Sequence, residues 1–160
     1  MVFTTNKNNT IEMNYEDLGG ISLKIPKDFG IMSQEYLEVK YPLEDRPSLV
    51  YTNEDGSINI GYSVKETSLD NDEAEETTKQ VANIYDDIFD SVDFDIIKKD
   101  EHNIGMLKFI SPAVDSNIYN HLMIMSVDGK VVMVSFNCME KDMDEWKDVG
   151  DFILKSIVFE

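Results

Sequence analysis

The sequence contains few cysteines and few basic residues. Cys138 is the one cysteine among 160 residues, so no disulfide can form within the chain, as is typical of a reducing compartment. Fourteen Lys and Arg stand against 32 Asp and Glu, which gives a formal net charge of −18. Phosphate backbones and anionic membranes repel such a surface, so we expect no nucleic-acid or membrane partner. A basic protein would be attracted, although the same acidity also keeps a domain soluble without any partner.

Long apolar segments are also absent. No run is long enough to span a membrane, and the first ten residues lack the apolar segment of a signal peptide and a lipoprotein cysteine. We therefore expect a cytoplasmic protein. Its apolar content of 42% and aromatic content of 10% are globular values. We expect a loose N-terminal tail over residues 1–9 and a single domain over residues 10–160.

Catalytic and cofactor-binding motifs are missing as well. The chain has no glycine-rich phosphate loop, no G-x-S-x-G motif and a single arginine, Arg46. Residues 70–76 have the carboxylate density of a calcium loop, but Glu75 occupies the sixth position, where an EF-hand needs glycine. Two histidines and one cysteine scarcely supply the three or four ligands of a zinc site. We therefore expect no metal, no cofactor and no enzymatic activity.

Two other groups of carboxylates lie in or beside segments that predict helices. We expect them to form solvated acidic faces, with weak cation binding as the alternative. The two groups are Asp86, Asp87, Asp90 and Asp93, and Glu140, Asp142, Asp144 and Glu145.

The longest apolar run, residues 118–138, predicts the central element of the fold. Asp128-Gly129 divides it, and Asp-Gly between two β-rich segments is a strong hairpin signal. Both faces of this hairpin are apolar, so we expect other layers to cover both. The two-residue turn pairs Val127 with Lys130, Met125 with Val132, Met123 with Val134 and His121 with Phe136.

A second hairpin is predicted around Asp55-Gly56. Its turn places Tyr51 opposite Ile60 and Leu49 opposite Tyr62, and these residues share one face with other apolar side chains. The agreement between the turn and the alternation of apolar residues fixes the register. Further alternation predicts strands over 10–15, 21–25, 36–41, 94–99 and 105–111, with an extended end over 157–159.

Two segments predict helices. Residues 70–92 begin with Asp70 and Glu73 spaced as a capping box and continue with apolar residues at helical spacing. Residues 142–156 carry a second apolar stripe. Strands joined by hairpin turns indicate antiparallel pairing, and the apolar strands need cover on both sides. The sequence therefore predicts the α+β class, with an antiparallel β-sheet covered by helices on both faces.

Three short segments lie where a known family has characteristic motifs. Residues 25–29, Ile-Pro-Lys-Asp-Phe, resemble a strand that ends in proline before a large aromatic residue, with Phe29 where tryptophan is commoner. Ile104-Gly105 matches a strand-opening step, and residues 146–159 match a last helix with a terminal Ser-x-x-Phe. On these segments the chain, over about residues 10–160, resembles the Mog1/PsbP-like superfamily with its bacterial DcrB-like and related branches.

The resemblance implies an α/β/α sandwich around an antiparallel sheet. Members of this superfamily mostly act as binding partners, among them a Ran-binding factor, photosystem accessory proteins and chaperones for secreted bacterial effectors. The family shares no catalytic motif, so the resemblance assigns no functional residue in this chain.

Two sets of side chains are candidates for function. His121 and Cys138 share a face of the central hairpin, but as diagonal neighbours they lie about 7–8 Å apart, and no third catalytic group is evident. A buried small thiol and a histidine with satisfied hydrogen bonds are the simpler explanation. The second set consists of aromatic residues of the first half, which either pack in the core and at the sheet edge or form a patch that binds a partner. These candidate partner-binding residues are Tyr36, Tyr41, Tyr51 and Tyr62.

The leading hypothesis is a small, acidic, non-enzymatic domain that binds another protein as an adaptor or chaperone. The alternative is an immunity-type inhibitor of a basic toxin or nuclease, whose association would weaken steeply with salt. A third hypothesis is a hydrolase or redox enzyme based on Cys138 and His121. The sequence leaves the partner and the oligomeric state open.

Overall fold

The computed structural model describes residues 1–41 and 46–160, and within them eleven strands form two antiparallel sheets. The large sheet has the order β4-β5-β6-β10-β9-β8-β7, and the small sheet has the order β1-β2-β3-β11. The strands are β1 (Val2–Thr4), β2 (Thr10–Asp17), β3 (Ile21–Pro26), β4 (Gly30–Ile31), β5 (Leu49–Thr52), β6 (Ile58–Ser68), β7 (Asp90–Lys99), β8 (His102–Pro112), β9 (Asn117–Val127), β10 (Lys130–Met139) and β11 (Val158–Phe159). The helices are α1 (Gln34–Lys40), α2 (Ala74–Asp86) and α3 (Met143–Lys155).

The predicted central hairpin is confirmed as β9 and β10. All four predicted residue pairs face each other, from Val127 and Lys130 to His121 and Phe136. Asp128 and Gly129 take positive φ angles of 52° and 78°, as a tight two-residue turn requires. The second hairpin also has its predicted register, with Tyr51 opposite Ile60.

One face of the large sheet is covered by the small sheet and α3; we call it the α3 face. Side chains from all three layers form one core, in which Phe136 and Met123 of the large sheet are fully buried. Leu23 of the small sheet and Ile153 of α3 are equally buried. The predicted helix over 142–156 is thus confirmed, and the apolar positions of its stripe explain its packing.

The opposite face, which we call the α2 face, is covered by α2 and α1. Leu107 and Ile124 of the large sheet pack with Ala82 of α2, and Val50 packs with Leu37 of α1. The helices thus lie on both faces, as the two-sided apolar strands predict. Among the described residues, no helix is long and apolar enough to cross a membrane.

The predicted helix over 70–92 is too long. The capping contact is present, since the Asp70 backbone N–H donates to Glu73 Oε1 at 3.1 Å, but α2 ends at Asp86. The chain then turns at Phe89, whose ring stacks on Phe109 at 5.1 Å between centroids, and enters β7. Pairing of β7 with β8 requires the chain to reverse, so tertiary pairing overrides the helical spacing that continues to residue 92.

The strand predicted over 36–41 is wrong, because these residues belong to α1. Ser33 caps this helix by accepting the Tyr36 backbone N–H at 3.2 Å. Leu37 is buried and Tyr41, four residues later, packs beside it, which is helical rather than strand spacing. The cap, the buried Leu37 and the half-buried Tyr41 outweigh the alternation of apolar and polar residues that predicted a strand.

Residues 1–9, expected to form a loose tail, are instead ordered in the structure. β1 pairs with β2 over Val2–Thr4, and Thr5 is buried. The Thr5 hydroxyl donates to Glu145 Oε2 at 2.8 Å, which connects this segment to α3. Pairing with β2 provides hydrogen-bond partners for the backbone of β1, and the polar composition of residues 1–9 does not predict this pairing.

Each main helix meets the large sheet at a glycine. Gly105 of β8 lies directly under Thr78 of α2, and Gly150 of α3 lies directly over the Phe136 ring. A Cβ atom at either glycine would overlap these side chains well inside van der Waals contact. The two glycines therefore set how closely the helices approach the sheet.

We expect Gly105→Ala to lower the free energy of unfolding by about 1–3 kcal/mol, because the added methyl group overpacks the α2 contact. Urea denaturation measures this change. Gly30→Ala is the control, since a Cβ there meets no atom within 4 Å and we expect a change within about 0.5 kcal/mol. Equal stability of both variants would contradict the close approach of α2.

Candidate functional site

A groove, here called the α3 groove, runs between α3 and the β7–β8–β9 side of the large sheet. It consists of two adjoining cavities of about 420 and 310 Å³, which share Asp93, Lys108 and Asp151 in their walls. Cavities of this size accommodate a side chain or a small ligand. The larger cavity is lined by Ser91, Asp93, Lys108, Phe109, Ile110, Tyr119, Met143, Lys147, Asp148 and Asp151.

Strand register and helix spacing bring the polar residues of the groove together. Asp93 of β7 pairs with Lys108 of β8, and Lys108 in turn pairs with His121 of β9, so these side chains share the α3 face. From the other wall, Asp148 and Asp151 of α3 are three positions apart and project from one side of the helix. Residues distant in sequence thus meet at one site.

Ion pairs neutralise only part of the charge in the α3 groove. Asp151 Oδ2 lies 3.1 Å from Lys155 Nζ, and Asp151 Oδ1 lies 3.9 Å from Lys108 Nζ without a hydrogen bond. Asp93 and Asp148 form no ion pair with any residue in the described part of the chain. Two carboxylates at the cavity are therefore available to a cationic group.

Tyr119 has an unusual position at the inner wall of the larger cavity. Its side chain is only 5% exposed, and its hydroxyl makes no hydrogen bond within residues 1–41 and 46–160. Burial, followed by the charge of Asp151 and smaller contributions that include Asp148 and Asp93, raises the pKa of Tyr119 to about 12. The hydroxyl is therefore protonated at neutral pH, and the field around it is negative.

His121 lies beside this wall, beneath Lys108. It is fully buried, and neither ring nitrogen has a hydrogen-bond partner in the part of the chain that the structure describes. Burial and then the charge of Lys108 lower the pKa of His121 to about 4. The imidazole is therefore neutral at physiological pH.

Cys138 shares the α3 face with His121, as the predicted register requires. Its thiol is fully buried, and burial followed by the charge of Asp142 raises its pKa to about 12. A thiol nucleophile needs the opposite shift, because the thiolate is the reactive form. The surroundings of this pair therefore stabilise a neutral thiol and a neutral imidazole, and they do not favour the Cys138–His121 enzyme hypothesis.

The four candidate tyrosines do not form one patch. Tyr36 is 47% exposed on α1, whereas Tyr41 packs beneath that helix on the α2 face. Tyr51 and Tyr62 pack on the α3 face, where the Tyr62 hydroxyl donates to the Gly19 carbonyl at 2.6 Å. Only Tyr36 presents a largely open ring, and the role of the four residues in partner binding stays a prediction.

The carboxylate groups singled out in the sequence are spread over several elements. Asp93 lies in the α3 groove, while Asp86, Asp87 and Asp90 are exposed at the end of α2 and the start of β7. Glu145 accepts hydrogen bonds from Asn9 and Thr5, which lower the pKa of its carboxyl group. Among the described residues, no group of three or more His, Cys, Asp or Glu side chains is arranged to hold a metal ion.

Sequence reasoning did not identify the α3 groove. Its walls come from four elements, and Tyr119 is part of an apolar strand that gives no sign of an unpaired hydroxyl. One signal was available in β7, where Asp93 and Asp95 alternate with Phe94 and Ile96. Acidic residues that alternate with apolar ones indicate an edge strand with one charged face.

We expect native Cys138 to resist alkylation by iodoacetamide at pH 8, because its thiol is buried and protonated. Mass spectrometry of the intact protein measures the modification, and unfolding in urea should make the thiol reactive. Val114→Cys, at a fully exposed position, is the control that should react in the native state. Rapid native labelling of Cys138 would contradict its burial.

We expect His121 to make stability depend on pH. Its folded pKa of about 4 lies below the unfolded value near 6.5, so the unfolded chain takes up the proton first and stability falls as pH decreases from 7. The loss should be about 2 kcal/mol between pH 7 and pH 5. Urea denaturation of the native protein and of His121→Leu measures it. The same pH dependence in both proteins would disprove the assignment.

Comparison with solved structures places this architecture among known folds. Cyanobacterial PsbP (CyanoP) from Synechocystis aligns with a TM-score of 0.62 at 11% identity, over 94% of this chain and 92% of its own. LpqN, involved in cell envelope biogenesis of Mycobacterium tuberculosis, aligns with a TM-score of 0.55 at 11% identity, over 95% and 92%. A Pseudomonas aeruginosa protein of unknown function, a putative regulator, gives 0.53 at 11% identity, over 93% and 98%.

Each of these three alignments covers more than nine-tenths of this chain and of the aligned protein. No family model and no curated protein matches the sequence. At such low identity the structural alignments carry information about the fold and not about function. The chain therefore has the α+β, Mog1/PsbP-like fold that its sequence resembles.

Proposed function

We propose that this chain is a non-enzymatic domain that binds a basic segment of another protein in the α3 groove. The observation that carries the proposal is in the wall of the α3 groove, where the buried Asp151 Oδ1 and the Tyr119 hydroxyl both lack a hydrogen-bond partner among the described residues. Buried polar groups in proteins are nearly always paired, so an unpaired one at a cavity wall indicates a ligand or water. A lysine or arginine side chain of a partner would supply the missing donor.

The charges of the α3 groove support a cationic occupant. Asp93 and Asp148 have no ion pair with another described residue, and the field at the Tyr119 hydroxyl is negative. The net charge of −18 adds long-range attraction for a basic partner and speeds its association. The apolar wall formed by Ile110 and Met143 would pack against the aliphatic stem of the bound side chain.

We propose the adaptor or chaperone form of this function. An inhibitor of a basic toxin or nuclease would use the same carboxylates, and the identity of the captured partner distinguishes the two.

The cytoplasmic location expected from the composition is part of the proposal. Because the structural neighbour LpqN is involved in cell envelope biogenesis, the alternative is an envelope location, which fractionation of cells with an antibody would decide.

Affinity capture from the native lysate tests the proposal. Wild-type protein should retain a basic partner at low salt, and Asp93→Asn/Asp148→Asn should reduce the retained amount about tenfold through the loss of two charge-assisted contacts. The matched control is Asp86→Asn/Asp87→Asn, which removes the same charge from an exposed region outside the groove. Mass spectrometry identifies and quantifies the retained protein.

Equal retention by both double variants would place binding outside the α3 groove. Tyr36→Ala in the same capture tests the exposed tyrosine, because its ring is the accessible member of the four candidates. Loss of the partner with Tyr36→Ala but not with Asp93→Asn/Asp148→Asn would move the site to α1. A partner without an excess of basic residues would contradict the electrostatic basis of the proposal.

A further inference from the structure

The strand β7 forms a long free edge of the large sheet. It spans ten residues, Asp90–Lys99, and in the described part of the chain no strand pairs with its outer side. The opposite edge, β4, has only two residues. A free edge of this length presents a row of backbone N–H and C=O groups that can pair with another strand.

The outward-facing backbone groups of β7 follow from its turn and one hydrogen bond. Asp100 and Glu101 form the two-residue turn to β8, so Lys99 and His102 are a hydrogen-bonded pair and alternate residues from Lys99 face β8. The Ile96 N–H confirms this alternation, because it donates to Asp95 Oδ1 at 2.8 Å and not to β8. The backbone groups of Phe94, Ile96 and Lys98 therefore face outward.

The side chains of β7 present two different surfaces along this edge. Asp93 and Asp95 are exposed on the α3 face, and Asp93 also lines the α3 groove. Phe94, 36% exposed, and the half-buried Ile96 lie on the α2 face. A strand added beside β7 would place its own side chains alternately next to carboxylates and next to apolar groups.

We infer that β7 pairs with an extended segment of a partner protein in which basic and apolar residues alternate. This inference rests on the proposed function and specifies how the basic partner is recognised. Basic side chains would face Asp93 and Asp95, and one of them would enter the α3 groove toward the Tyr119 hydroxyl. Apolar side chains would cover Phe94 and Ile96. Backbone pairing would supply affinity, and the two faces would supply specificity.

Charge disfavours a second copy of this chain as the occupant. Two β7 strands paired at their edges would bring Asp93 and Asp95 close to the same carboxylates of the other copy, and like charges across a strand pair are destabilising. The register shift between Asp90 and Asp93 further limits regular pairing at one end of the strand. A basic strand relieves this repulsion and displaces the Asp95 carboxylate from the Ile96 amide.

The test uses the full chain and the synthetic peptide Val-Lys-Val-Lys-Val-Lys-Val with blocked ends. Isothermal titration measures its affinity, and ¹⁵N–¹H spectra locate the amides that shift. We expect binding with shifts at Phe94, Ile96 and Lys98. Asp93→Asn/Asp95→Asn should weaken binding about tenfold, while Asp86→Asn/Asp87→Asn should have little effect beyond the shared change in net charge. A Val-Glu peptide of the same length should not bind.

Backbone methylation separates strand pairing from simple charge attraction. One peptide carries N-methyl groups on the valine amides and another carries them on the lysine amides. Because alternate amides of a strand face opposite sides, only one pattern blocks the side that meets β7, and that peptide should bind at least about tenfold more weakly than the other. Equal binding by the two peptides would overturn strand pairing.

The remaining outcomes also decide the inference. No binding of the unmodified peptide, together with a captured partner that depends on Asp93 and Asp148, would overturn β7 pairing and leave the proposed function intact. Amide shifts confined to regions outside β7 would overturn it as well. A dimer of the chain that the peptide does not dissociate, detected by light scattering, would assign the edge to a second copy and refute the inference.

Discussion

The structure depends on burying the central hairpin, β9 and β10, on both faces. Each face needs a covering layer, and the layers approach closely because Gly105 and Gly150 leave room for α2 and α3. On the α3 face, the helix packs mainly over the centre of the large sheet, and β7 and β8 extend beyond it. The α3 groove and the free edge of β7 are therefore consequences of covering a wide sheet with a narrower layer.

The same geometry explains the chemistry of the site. Residues that project from β8 and β9 beneath α3 lose contact with water, so Tyr119 keeps its proton and His121 remains neutral. At the mouth of the groove, Asp93 and Asp148 remain exposed to water. A partly dry cavity bordered by carboxylates favours an amphipathic cation, whose stem packs on apolar groups while its charge meets the carboxylates. It does not provide an activated nucleophile, since the Cys138 thiol is stabilised in its neutral form.

Local signals were reliable where the turn itself sets the geometry. Asp128-Gly129 and Asp55-Gly56 fix two hairpin registers, because a two-residue turn allows one pairing of its strands. They were unreliable where a distant contact decides the conformation. The end of α2 follows the pairing of β7 with β8, and β1 is ordered through β2 and Glu145. The α1 segment resembles a strand in composition but is helical, because Ser33 caps it and Leu37 packs on the sheet.

Residue patterns were enough to predict the fold class, the central hairpin with its register, and the acidic surface. These features follow from turn residues, the period of apolar residues and the count of charges, all of which are local or additive properties of the chain. The location of the candidate site, in contrast, follows from packing between distant elements. The Tyr119 hydroxyl has no hydrogen-bond partner among the described residues, His121 is neutral, and Asp93 and Asp148 line one cavity, all because elements far apart in sequence pack together. The desolvation of a side chain depends on which residues surround it in the folded protein, so no local sequence pattern predicts it.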